Sequence, residues 1–173
     1  MIDAIAALPA EISPEDEAAV AAARAAYQML TEEQKALVPD AAMQRLEQAE
    51  TTIADWKAYY ADAAAAQAIE TKVMKLKNSK GKKLTVSWKR LGLDAGNTGY
   101  LVRYSTDKKL KKGVKTKTVK GAAKTKLTLK SLKKGKTYYV TICAYTKVSN
   151  NVTDTEETIC GEWTKVKKVK IKK

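Results

Sequence analysis

The residue usage of the chain changes abruptly near residue 70, and this change limits the folds that the chain can adopt. Residues 1–70 contain 13 acidic and 4 basic residues, 23 alanines and no glycine. Residues 71–173 contain 6 acidic and 29 basic residues and all 8 glycines. The two parts therefore carry net charges of −9 and +23, an asymmetry typical of two different domains. We predict a multidomain α and β chain, with domains at 1–70 and 71–173.

The first part carries the start signals of short helices. Alanine is the strongest helix former, and no glycine interrupts the segment. Ser13 precedes Pro14 and three acidic residues, as at a helix N-terminus, and Thr31 with Gln34 has the spacing of a capping box. These signals predict a small helical bundle with helices near 2–8, 14–30, 32–38 and 40–69.

Apolar residues of the last predicted helix recur at steps of three and four, which places them on one face. This face includes Ile53, Trp56 and Tyr60. It could form a groove for a partner helix or the core of the bundle, and a core is the more common use of such a face. We therefore name Ile53 and Trp56 as structural core residues.

Several stretches of the first part resemble helical spacer repeats of the FIVAR type. These modules occur in large surface proteins of Gram-positive bacteria (Firmicutes). The similar segments, in the same order as in the modules, are residues 2–9, 15–20, 22–27 and 30–38. The resemblance covers about residues 1–60 and includes no catalytic motif. It implies a unit that spaces, and sometimes binds, at the cell envelope.

The second part changes to a period of two, which is typical of half-buried antiparallel strands. The alternating runs lie near 84–88, 100–104, 127–129 and 138–144. Further strands are expected near 72–77, 114–119 and 163–171. Seven short strands in about a hundred residues predict an immunoglobulin-like β-sandwich.

The details of these runs resemble fibronectin type III modules. Trp88 ends a strand as the second strand does in that family, and the stretch around Tyr100 is similar to its third strand. Leu132 opens a turn similar to the one before the sixth strand, with Tyr138 as the tyrosine corner. The resemblance covers about residues 71–173. It implies core positions for these four residues and an interaction role without an activity.

The two cysteines, Cys143 and Cys160, are candidates for a disulfide bond. If residues 138, 140, 142 and 144 face inward, Cys143 faces outward. Cys160 would follow the next loop, at the start of the last strand, and the last two strands are neighbours in this fold. A disulfide would suit an exported protein. Two free thiols are the alternative, and we favour the disulfide.

The lysines of the second part form a candidate polyanion patch. Its members are Lys108, Lys109, Lys111, Lys112, Lys133, Lys134 and Lys136. Only 2 of the 29 cations of this part are arginine, the residue best suited to bidentate contacts with bases, so nucleic acid is the least favoured partner. An anionic wall polymer is a stronger alternative. A solvated surface that also protects edge strands is the favoured interpretation.

The composition argues against catalysis. The chain has no histidine and only two cysteines, which excludes imidazole-based catalysis and thiolate metal cages. We therefore predict no enzyme, no cofactor and no metal. No apolar run reaches the length that spans a bilayer.

The sequence thus predicts a non-catalytic structural or adhesion module of a bacterial cell-surface or secreted protein. Residue 1 opens no signal peptide, so we expect a fragment of a longer exported protein that is extracellular or at the cell surface. We expect its partners to be other modules of the same protein. Further candidate partners are a cell-wall polymer, a polysaccharide and a host protein. We expect a monomer. The alternatives are an accessory segment of an extracellular polysaccharide-active enzyme and a lysine-rich module that binds polyanions.

Overall fold

The computed structural model describes residues 2–72, 74–79 and 81–172. They form two compact units, one of Met1–Asp62 with Ser149–Thr155 and one of Ala63–Val148 with Glu156–Lys173. The domain bounds 1–70 and 71–173 stay a prediction, because a compact unit is not by itself an independently folding domain.

Four α-helices occupy the first part of the chain. They are α1 (Ile2–Ala6), α2 (Glu17–Gln28), α3 (Glu32–Lys35) and α4 (Asp40–Gln67), and a 3-10 turn at Pro14–Asp16 leads into α2. The capping box predicted at Thr31 is confirmed: the Gln34 N–H donates to Thr31 Oγ1 (3.3 Å), and the Thr31 N–H donates to Gln34 Oε1 (3.0 Å). At the 3-10 turn, Asp16 accepts hydrogen bonds from the N–H and the hydroxyl of Ser13, both at 2.8 Å. Backbone donors at the helix starts are thereby satisfied by side chains.

A small apolar cluster holds the helices together. Its buried members are Ile5, Leu8, Val20, Ala23, Leu46, Ala49 and Ile53. The predicted core residue Trp56 lies outside this cluster and is half-buried, with its Nε1–H donating to the Ile12 carbonyl at 3.2 Å. Tyr60, on the same predicted face, is 53% exposed. The apolar face is thus longer than the core that it covers.

Two ion pairs join α2 to α4, one between Arg24 and Glu50 and one between Lys57 and Glu17. Nε and Nη2 of Arg24 donate to Oε1 and Oε2 of Glu50, each at 2.6 Å. The hydrogen bonds from Arg24 hold the pKa of the Glu50 carboxyl below its ordinary value. This two-pronged geometry is the strongest form of an arginine–carboxylate contact.

The second part of the chain forms two antiparallel sheets. The strands are β1 (Lys75–Ser79), β2 (Lys83–Ser87), β3 (Gly99–Ser105), β4 (Lys115–Lys120), β5 (Lys126–Leu129), β6 (Thr137–Asn150), β7 (Thr155–Cys160) and β8 (Lys167–Lys170). One sheet has the order β1-β2-β5. The other has the order β4-β3-β6-β7, with β8 also paired to β6. The first predicted strand begins later than expected, and Val73 within its predicted range lies outside the described residues.

The strand count of seven is corrected to eight within the described residues. The segment between the predicted 138–144 strand and Cys160 was expected to be a loop, but β6 continues to Asn150 and the chain returns as β7. Asn150 Oδ1 accepts the N–H groups of Val152 (3.0 Å) and Thr153 (3.2 Å) in the turn. Cys160 therefore ends the added strand rather than starting the last one. Alternation did not indicate β7 because four of its six residues are exposed and polar.

The core of the sandwich follows the predicted alternation. Tyr100, Val102 and Tyr104 of β3 lie opposite Ala144, Ile142 and Val140 of β6, and all six are buried. The rings of Trp88 and Tyr100 lie 4.9 Å apart between their centroids. The core is thus built from large side chains contributed by both sheets.

Candidate functional site

The two lysine stretches of the candidate patch lie in two loops of the sandwich. Lys108, Lys109, Lys111 and Lys112 belong to the loop between β3 and β4 (residues 106–114). Lys133, Lys134 and Lys136 belong to the loop between β5 and β6 (residues 130–136). All seven are exposed. None of them takes part in an ion pair with another described residue.

The first loop is shaped by its single acidic residue. The carboxylate of Asp107 accepts the N–H groups of Lys109 (3.2 Å), Lys111 (2.8 Å) and Lys112 (3.0 Å). These backbone hydrogen bonds, led by that of Lys111, hold the pKa of Asp107 below its ordinary value. The negative charge is therefore used to fold the loop back on itself, in the manner of an Asx turn.

The structure brings the two loops together around one pocket of about 270 Å³. Three lysines line it: Lys115, Lys130 and Lys133. The hydroxyl groups along it belong to Tyr104, Ser105, Thr106, Ser131 and Tyr138. No carboxylate is among its lining residues, so the pocket is cationic and rich in hydrogen-bond donors. We call the pocket and its two loops the lysine-rich end.

Sequence reasoning named only one of the three pocket lysines. Lys115 begins β4 directly opposite Tyr104, and Lys130 follows the buried Leu129. The pairing of β3 with β4 would have indicated Lys115, but alternation within one strand does not reveal its partner strand.

Two tyrosines form the inner wall of the pocket. Tyr138 accepts a hydrogen bond from the Lys133 N–H at 3.0 Å, which is the geometry of a tyrosine corner. Tyr104 is 7% exposed, and its burial raises the pKa of its hydroxyl, with Tyr138 as the lesser cause. The Tyr104 hydroxyl therefore keeps its proton near neutral pH.

The remaining named residues lie in the two cores. Trp88, Tyr100, Leu132 and Tyr138 are buried in the sandwich, and Ile53 is buried among the helices. They are distributed through the two interiors, and of them only Leu132 and Tyr138 also line the pocket at the lysine-rich end.

Cys143 alternates along β6 with the core residues Ile142 and Ala144 and lies outside their cluster. It is fully buried, because the outer face of β6 is also covered. Leu101 lies opposite it in register, and the guanidinium of Arg103 lies 4.3 Å from the ring centre of Trp163 on the same sheet. Both cysteines are free thiols in the structure, with Cys160 half-buried. Burial raises the pKa of the Cys143 thiol, and its contact with the Cys160 side chain raises it further. The disulfide stays a prediction.

The described residues offer little else for chemistry. Among them, no three His, Cys, Asp or Glu side chains come together in a way that could hold a metal ion. Within the same part of the chain, none of the helices has both the length and the apolar character needed to cross a membrane.

The solved structures similar to this chain include fibronectin type III domains of contactins. The FN1–FN3 domains of chicken CNTN1 share 18% identity over 61% of this chain, with a TM-score of 0.47, and this chain spans 33% of that one. An fn3 domain of human contactin 1 shares 15% identity over the same 61%, which is 83% of that domain, with a TM-score of 0.47. A myokine shares 13% identity over 61% of this chain and 99% of its own, with a TM-score of 0.46. No curated protein matches the chain.

The family is decided by the second part of the chain. A family model described as fibronectin type III domain matches residues 71–160, which is more than half of the 173 residues. The matched region contains the sandwich from before β1 to the end of β7, including the tyrosine corner. The chain therefore belongs to the fibronectin type III family.

Proposed function

We propose that the chain is a non-catalytic structural or adhesion module that spaces or attaches a longer exported protein at the bacterial cell envelope. Fibronectin type III domains are in general non-catalytic and typically extracellular, which supports the first half of this proposal. The resemblance of residues 1–60 to helical spacer repeats of Gram-positive surface proteins supports the second half.

One observation carries the proposal: a helical bundle and a fibronectin sandwich occur in the same chain, each with its own cluster of buried apolar residues. Closed interiors and polar surfaces suit elements that hold other modules in place. The proposed partners are other modules of the same exported protein. The chain would act as a monomer in such a series.

A second candidate function is an accessory segment of an extracellular polysaccharide-active enzyme, and an aromatic cluster on α4 favours it. Trp56 and Tyr60 are stacked, with ring centroids 5.9 Å apart and planes 21° apart. Tyr59 contacts both rings edge-on. Because Tyr60 is 53% exposed, part of this apolar surface could pack against the C–H face of a sugar ring.

Fractionation of the source cells tests the envelope proposal. Antibodies raised against this chain should detect their antigen in the cell wall or the culture medium, and protease treatment of intact cells should remove the wall signal. A cytosolic marker protein should survive the same treatment. Antigen confined to the cytosol would contradict the proposal.

The same material separates the two candidates. The polypeptide that the antibodies detect is separated and renatured in a gel that contains a polysaccharide. If the polysaccharide is degraded at its position, the accessory function is favoured. If it is not degraded, and the intact mass of the polypeptide shows further repeated modules, the spacer function is favoured.

A further inference from the structure

The pocket at the lysine-rich end has positive charge without a counter-charge. Lys115, Lys130 and Lys133 line it, and none of the three takes part in an ion pair with a described residue. The only acidic residue in either bordering loop is Asp107, whose carboxylate accepts three backbone N–H groups of its own loop. Three ammonium groups at one small pocket repel each other, and an anion that enters would relieve that repulsion.

The pocket also offers hydroxyl donors that are not used elsewhere in the described chain. Tyr138 accepts from the Lys133 N–H, and its own hydroxyl hydrogen donates to none of the described residues. Tyr104 is almost fully buried, and no described group forms a hydrogen bond with its hydroxyl. Although most of the Tyr104 side chain is buried, its hydroxyl oxygen is not among the buried polar atoms that lack a partner, so it reaches the pocket and can donate there to a ligand.

The size of the pocket limits what it can hold. A volume of about 270 Å³ lies just below the range of sites for drug-sized ligands. It suits one phosphate group with a short polyol segment. The flanking lysines of both loops would then meet the neighbouring charges of a repeating polymer.

The same surroundings disfavour nucleic acid. Single-stranded binding relies on exposed aromatic faces on which bases stack, whereas Tyr104 and Tyr138 are only 7% and 8% exposed. Both pocket loops carry lysine and no arginine, so bidentate contacts to base edges are not available there. Lysine acts as a point charge that suits phosphate without reading a base.

We propose that the pocket at the lysine-rich end binds a phosphate group of a polyol-phosphate polymer, with Lys115, Lys130 and Lys133 supplying charge and Tyr104 donating a hydrogen bond. This binding goes beyond the proposed spacing function, which does not require it.

Calorimetric titration of the full chain with a poly(glycerol phosphate) oligomer tests the proposal. Binding should be measurable at about 50 mM salt and should weaken steeply towards about 500 mM, because bound counterions are released. The double variant K130Q/K133Q should bind about tenfold more weakly. Absence of binding at low salt would overturn the proposal, while envelope location of the parent protein would remain a separate question.

A charge-matched control distinguishes binding at the pocket from attraction by the net positive charge of the sandwich. Lys124 and Lys126 lie at the opposite end of the sandwich, beside the turn where the Tyr100 hydroxyl donates to Ala122. The variant K124Q/K126Q loses the same charge and should bind within about twofold of the wild type. Equal losses in both double variants would mean that net charge alone attracts the polymer, and the pocket would be rejected.

Two further measurements test the Tyr104 hydrogen bond and the class of ligand. Tyr104→Phe leaves every charge in place and should weaken binding about threefold through the lost hydroxyl. An unchanged affinity would remove Tyr104 from the site. Single-stranded DNA of the same charge should bind more weakly than the polyol phosphate, and equal or tighter binding of DNA would overturn the proposed ligand class. Far-UV circular dichroism of each variant checks that it is folded.

Discussion

The helical unit and the sandwich differ in the number and the type of the side chains that form their cores. The helical cluster has seven buried members, two of them alanine, and none is aromatic. The sandwich cluster has fourteen buried members, including a tryptophan and three tyrosines. Because burial free energy scales with the apolar area removed from water, the sandwich has the larger reserve. The helical unit depends more on helix propensity, capping and surface ion pairs.

The largest effect is expected from Tyr100→Ala in the sandwich. Tyr100 is fully buried, packs on Trp88 and donates to the Ala122 carbonyl at 3.1 Å. We expect a loss of about 4 kcal/mol in the free energy of unfolding, measured by urea denaturation with tryptophan fluorescence. Tyr100→Phe, which loses only the hydrogen bond, should cost about 1 kcal/mol. Equal losses for the two variants would show that ring packing is not the main contribution.

Leu46→Ala should lower the free energy of unfolding somewhat less than Tyr100→Ala, and it affects the smaller core of the helical unit. Leu46 is fully buried among the helices, and its truncation should cost about 3 kcal/mol. Far-UV circular dichroism should report the loss of helix at a lower urea concentration. Met29 is 88% exposed, so Met29→Ala should change stability by less than about 0.5 kcal/mol. If Leu46→Ala behaved like this control, the helical cluster would not be the source of stability.

A disulfide bond between Cys143 and Cys160 would stabilise the sandwich and not the helical unit. A bond between Cys143 and Cys160, formed by exchange with oxidised glutathione, should raise the free energy of unfolding by about 2 to 3 kcal/mol. Alkylation of the unreduced, denatured protein followed by intact-mass measurement counts the free thiols. Two labelled thiols in protein isolated from an oxidising compartment would reject the disulfide.

The smallest effect concerns the Arg24–Glu50 ion pair of the helical unit and its pH dependence. The pKa of Glu50 in the folded state lies below its ordinary value of 4.5. Its contribution is therefore complete above that value and is lost as the pH falls through the folded pKa. Because both side chains are partly exposed, at 25% and 35%, Glu50→Gln should cost only about 1 kcal/mol at neutral pH.

Urea denaturation of the wild type and Glu50→Gln at neutral and acidic pH measures this dependence. The difference between the two proteins should shrink as the pH drops below the folded pKa of Glu50. A difference that stays constant or grows with acid would mean that the ion pair is not its cause.

Much of the fold followed from local patterns in the sequence. Alanine content and the Thr31 capping box predicted the helices, and alternation at Tyr100, Val102 and Tyr104 predicted a strand with one buried face. These patterns work because each residue's preference depends on near neighbours and on a single buried side. Strand β7 was missed because its exposed threonines and glutamates leave no such pattern. The burial of Cys143 was not foreseen, because alternation assumes that one face of a strand is open to water.

The sequence by itself determined the division into an acidic helical part and a basic sandwich, and the identity of the large core residues. These properties belong to composition and short-range periodicity. Only the tertiary structure decided that Lys115, Lys130 and Lys133, from β4 and the loop before β6, meet at one pocket beside Tyr104. It also decided that the outer face of β6 buries Cys143. Strand pairing and loop placement are long-range events, and the chain specifies them through the packing of distant residues.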